Sequence, residues 1–128
     1  MREPLLWVLH LDHGWLVLGF VLLALSSAIA LLPQTAALHA LTAGAISTMT
    51  LAVMTRASLG HTGRPLAAGP GTATIYVLIT LAAVLCLLAP LAGARYLLLL
   101  ALAGAAWSGA FGLFALVYAR PLLLPRVP

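Results

Sequence analysis

Four histidines and two arginines are the side chains of this sequence whose types and spacing suit chemistry: His10, His13, His39, His61, Arg56 and Arg64. Neutral imidazole is a good ligand for haem iron, copper and other transition metals. His10 and His13 are three apart, so a helix places them on one face. Such a pair cannot supply opposite axial ligands to one iron, but it can clamp a copper ion from one side. Gly14 beside them removes bulk and leaves room for a flat cofactor. His39 heads a heptad-like stripe that continues through Thr42, Ile46, Met49, Val53 and Arg56. His61 lies in Gly60-His61-Thr62-Gly63-Arg64-Pro65, where backbone N–H groups and flanking guanidinium groups suit an anion. A haem propionate or a lipid phosphate would satisfy the same geometry.

Each of these groups also has a plainer reading. The threonines of the stripe can bond back to backbone or pack helices, Met49 and Met54 can fill space, and Cys86 can be a small buried apolar residue. Asp12 is the costly one. An acid within an apolar helix needs a partner, and Arg56 or Arg64 at the same membrane side is the expected one.

The elements that position these residues are transmembrane helices. Of the 128 residues, 64% are hydrophobic and 6% charged, and mean hydropathy is +1.18. Soluble domains carry roughly 25% charged residues. From His13 to Thr55 no side chain carries a formal charge, which is room for two crossings at about 20 residues each. Two further apolar segments follow. The fold class is therefore an all-α integral membrane protein, a single domain over 1–128. Its four transmembrane helices fall near 5–32, 35–57, 72–88 and 96–119, with a glycine-rich loop over 58–71. Thr72 or Thr74 is expected to cap the third helix, and Arg120-Pro121 to stop the fourth. The run Gly14–Leu25 followed by Ala28-Ile29-Ala30 imitates a signal peptide, but Glu3 and Asp12 spoil its basic start, so cleavage is not expected.

Topology follows from charge. Arg2, Arg56, Arg64, Arg120 and Arg126 fall on one side and Arg95 on the other, so the positive-inside rule places both termini in the cytoplasm. Trp7, Tyr76 and Tyr118 would form an inner aromatic belt and Tyr96 an outer one. With no lysine and its arginines at helix ends, the chain is not expected to bind nucleic acid. Gly104, Ser108 and Gly112, with Ala101, Ala105 and Gly109, form a small-residue face that suits helix association. Because the first two helices run in opposite directions, His10 and His13 lie near the inner end and His39 near the outer one. One iron cannot use both within one protomer.

The stretch LHALTAGAISTMTLAVMTRASLGHTGRPL resembles the signature region of the NnrS family, bacterial membrane proteins linked to nitric oxide response and denitrification. The preceding LWVLHLDHGWLVLGF is similar at Leu6, Trp7, Leu9, His10 and Trp15, whereas Asp12-His13 departs from the family pattern. Family members have several times as many helices, and this chain resembles their C-terminal third. The resemblance implies haem b and a possible copper ion in a bacterial inner membrane. It also implies His10, His39 and His61 as haem or metal ligands and Arg56 and Arg64 as anion partners; His13 joins the metal candidates from its spacing to His10 alone. Four helices make a thin scaffold, so a homo-oligomer, a trimer for example, is expected to complete the site between protomers. A redox partner or quinol would serve an electron-transfer role, and catalysis of nitric oxide chemistry is left open. Two rival readings are a haem-free accessory or assembly subunit of a membrane complex and a small transporter, the latter weakened by the scarcity of acidic residues.

Overall fold

A computed structural model of the chain describes residues 4–29 and 32–125; Arg2 and Arg126, which entered the topology reading, lie outside them. Four helices are long and apolar enough to cross a membrane, and no strand occurs among the described residues. We label them α1 (Pro4–Ala28), α2 (Gln34–His61), α3 (Pro70–Leu88) and α4 (Tyr96–Leu123). Large apolar side chains such as Val17, Leu97 and Leu116 face outward, as a lipid environment requires. The chain is a multi-pass membrane protein.

The helix ends differ from the sequence expectation in instructive ways. α1 stops at Ala28 rather than continuing to 32, after Ser26 and Ser27 turn their hydroxyls onto the carbonyls of Leu23 and Ala24. α2 runs one turn past 57, through Gly60, and ends at His61. Gly63, at φ 71°, then takes the left-handed position. Its N–H bonds the Gly60 carbonyl and that of Arg64 bonds Leu59, which is a Schellman closure. The connecting loop is correspondingly shorter than 58–71. α3 begins with Gly69 as N-cap and Pro70 in the first turn, not with a threonine cap. Thr74 instead bonds back to the Pro70 carbonyl. α4 passes through Pro121 to Leu123, because so near the end a proline forfeits only one backbone bond. The orphan Pro121 carbonyl accepts from Arg64 Nη1 at 2.9 Å, tying the loop to the end of α4.

α2 is the central helix, enclosed over 44% of its apolar window against 17% for α4. It is not uniformly α-helical. Ala40–Ile46 winds as a π-helix, and this segment packs against α1. Trp15 lies on Gly44, where an added Cβ would come within 2.7 Å of the indole, and Leu41 fills the space beside Gly19. Below this seam, Val8, Leu51, Ala52, Ile75, Ile79, Phe114 and Tyr118 form the main core, with Ile75 and Ile79 from α3 and Phe114 and Tyr118 from α4.

Two further expectations change, and a question the sequence left open, what the small-residue face meets, is answered. Tyr76 and Tyr118 are not interfacial: both are buried, and their phenols meet the hydroxyls of Thr55 and Thr72, the latter at 2.8 Å. Buried phenols need such partners, and the two threonines supply them across helices. The stripe Thr42, Ile46, Val53 faces outward rather than into a seam, since the buried face of α2 runs through positions such as Ala40, Gly44, Thr48, Leu51 and Thr55. The small-residue face of α4 is also outward: a Cβ on Gly104 or Gly112 would meet nothing within 4 Å.

The seam predicts a strong asymmetry between two glycines. Gly44→Leu should displace Trp15 and cost about 1–3 kcal/mol, the range for overpacking, whereas Gly14→Leu faces open space and should be tolerated. Thermal unfolding of both variants in detergent checks this, and equal melting temperatures would refute the seam.

Candidate functional site

Three of the four histidines share one hydrogen-bonding habit. His10 Nδ1 lies 2.9 Å from the Leu6 carbonyl and His13 Nδ1 2.8 Å from the Leu9 carbonyl, each one turn back on α1. His39 Nδ1 lies 2.7 Å from the Cys86 carbonyl on α3. A carbonyl only accepts, so Nδ1 must carry the proton in each case. In the neutral ring Nε2 then holds a lone pair, the arrangement that orients metal-ligating imidazoles.

The histidines nonetheless occupy separate places. His10 and His13 are exposed, with the His13 side chain 72% accessible, and with Leu9 they line a shallow groove of about 350 Å³. The Trp7 ring stands 6.4 Å from that of His10. His39 is half-buried between α2 and α3. Gly19 meets Leu41 and Trp15 meets Gly44, so His39 stands level with residue 21 or so of α1. At 1.5 Å per residue this is about 16 Å along the axis from His10. The two groups therefore sit at different depths, as the antiparallel reading expected. His61, at the end of α2, lines a third groove of about 250 Å³ with Met54, Ala57, Ser58, Phe114 and Leu122. It belongs beside α4 and does not join His10 and His13. Among the described residues, no three His, Cys, Asp or Glu side chains gather at one point.

The arginines divide in role. Arg64 spends one guanidinium nitrogen on the Pro121 carbonyl. Arg56 is half-buried on α2. Neither pairs with Asp12, contrary to the sequence expectation. The register of the seam sets Arg56 some two turns below Asp12, which is too far. Among the described residues, the basic atom within 4 Å of Asp12 is His13 Nδ1, at 3.9 Å from Oδ2, and that nitrogen is already committed to the Leu9 carbonyl.

Sequence reasoning missed the π-helical turn and the bond from His39 to Cys86. Gly44 within an apolar helix was the available sign of the first; nothing in the residue pattern pairs positions 39 and 86.

A family model described as NnrS protein matches residues 1–126, nearly the entire chain. Neither the curated proteins nor the solved structures contain a match.

The geometry separates two histidine roles. His39→Ala removes a bond joining α2 to α3 and should lower stability by about 1 kcal/mol, while His13→Ala removes only a local bond within α1 and should leave the melting temperature nearly unchanged. Equal losses in a thermal melt would refute the distinction.

Proposed function

The chain belongs to the NnrS family, and on that premise we propose that it is a haem-binding inner-membrane protein with a role in nitric oxide response. The observation that carries the reading is the tautomer of His10 and His13. Both rings hold Nδ1–H against backbone and keep Nε2 free on an accessible face, with open space over Gly14. Those are features of a pre-oriented axial ligand, and an apolar helix face suits a porphyrin. His10 would offer its Nε2 to haem iron, His13 beside it would be a ligand for copper, and the Trp7 ring borders the groove. Arg56 and the free nitrogens of Arg64 would hold carboxylates at the end of the bundle. Bound haem would supply nitric oxide coordination or electron transfer. The residues of this chain would bind and orient that group and exclude water.

One chain offers fewer than three ligands at any point among the described residues, and its His10 groove is shallow. A second copy would complete the pocket. The outward small-residue face of α4 suits association, whether between copies or with another membrane protein. The second reading, a haem-free accessory subunit, draws on that same face. The cytoplasmic placement of both termini rests on Arg56, Arg64 and Arg120 at one end and Arg95 at the other.

Protein made with ample haem and purified in detergent should show a Soret band that shifts with nitric oxide. His10→Ala should bleach it and His39→Ala should not. A colourless protein would sink the haem reading; bleaching by His39→Ala alone would move the site to the opposite end.

A further inference from the structure

Three buried side-chain atoms among the described residues find no hydrogen-bond partner: Asp12 Oδ1, Thr48 Oγ1 and Trp15 Nε1. All three belong to the contact between α1 and α2. Val8 packs in one cluster with Leu51 and Ala52, Trp15 lies on Gly44, and Gly19 meets Leu41. In that antiparallel register, the layer between Val8 and Trp15 sets Asp12 opposite Thr48. Asp12 is only 4% exposed and Thr48 is fully buried. Asp12 also opens onto a groove of about 310 Å³ whose other walls are Leu16, Ala45, Ile46, Met49 and Thr50. Thr50 donates its proton to the Ile46 carbonyl, so its oxygen lone pairs remain available. Ala45 and Ile46 are the last residues of the π-helical turn, a local form frequent at functional sites.

We propose that Asp12, with the Thr50 hydroxyl across the same groove, forms a binding site for a small monovalent cation, sodium in type, between α1 and the π-helical turn of α2. Carboxylate and hydroxyl oxygens are hard donors that suit such ions and not soft metals. One carboxylate balances one positive charge; a divalent ion would leave excess charge in an apolar surrounding, where unpaired charge is expensive. A water molecule could satisfy Thr48 and Trp15 but would leave the carboxylate uncompensated. Among the described residues no arginine pairs with Asp12, and His13 Nδ1 is bonded elsewhere. Met49, also lining the groove, acts as an apolar wall. The site is distinct from the histidine face, because His10 and His13 line a different groove.

The test uses the full chain in detergent, with radioactive sodium binding and thermal melts in NaCl, KCl or choline chloride at equal ionic strength. Wild type should bind sodium saturably, near one per chain, and melt higher in NaCl or KCl than in choline chloride. Asp12→Asn should weaken binding at least tenfold and abolish the salt-dependent shift. Thr50→Val, at the accessible rim, should weaken binding several-fold with an unchanged melt in choline chloride, which guards against loss of folding in the Asp12 variant. Identical wild-type melts in all three salts, with no saturable sodium, would overturn the proposal, whether Asp12 then holds a proton or a donor from a partner helix. The Soret band of the same samples keeps the two readings apart. Sodium binding without haem removes only the haem assignment, and haem without sodium removes only this one.

Discussion

The contact on which this structure depends is the seating of the Trp15 indole on Gly44. It requires the absence of a side chain at one position of α2, and a Cβ there would collide with the ring. Once Trp15 is seated, the register of α1 against α2 is set over several layers, from Val8 with Leu51 and Ala52 to Gly19 with Leu41. That register decides which polar groups share a depth. It brings Asp12 to the level of Thr48, keeps it two turns from Arg56, and carries His39 far from His10. In lipid, where no hydrophobic drive holds helices together, such close steric fits are the main source of specificity. The π-helical winding of Ala40–Ile46 belongs to the same contact, since it sits where α1 presses on α2.

A second constraint runs through the bundle. Within hydrocarbon every polar atom needs a partner inside the protein. Most hydroxyls here meet it locally: Thr42, Thr50, Thr62, Thr74 and Thr80 each bond a carbonyl one turn back. Others bridge helices, as in Thr55 with Tyr76, Thr72 with Tyr118, and Trp107 with Ser47. Against this background the unpartnered atoms of Asp12, Trp15 and Thr48 stand out, because they are clustered rather than scattered. Unmet polar groups in one layer are unexpected unless something outside the chain meets them.

The histidines obey the same constraint. Spending Nδ1–H on a carbonyl satisfies one ring nitrogen and leaves the other basic. In His39 the carbonyl lies on another helix, so the imidazole also fastens α2 to α3. In His10 and His13 it lies one turn back, so the rings stay at the surface of α1. The long stretch from His39 to Pro65 is thus a rod with different business at its two ends. One end is bound into the bundle through His39; the other carries His61 and Arg64 beside the end of α4.

Much of this was legible in the residues themselves. Hydropathy and the spacing of arginines and prolines determine four membrane-spanning helices, because bilayer thickness dictates the length of an apolar run. The signature around His39–Pro65 determines the family, and the opposed directions of the first two helices determine that His10 and His39 differ in depth. Tertiary structure alone decided the rest. Pro121 stays helical in the last turn, where Arg64 reaches its own orphan carbonyl. Tyr76 and Tyr118 turn inward because threonines on neighbouring helices can receive their hydroxyls. Asp12 is left without an arginine because a glycine under Trp15 sets the register, and side-chain identity carries no record of which residues of two helices come to lie at one level.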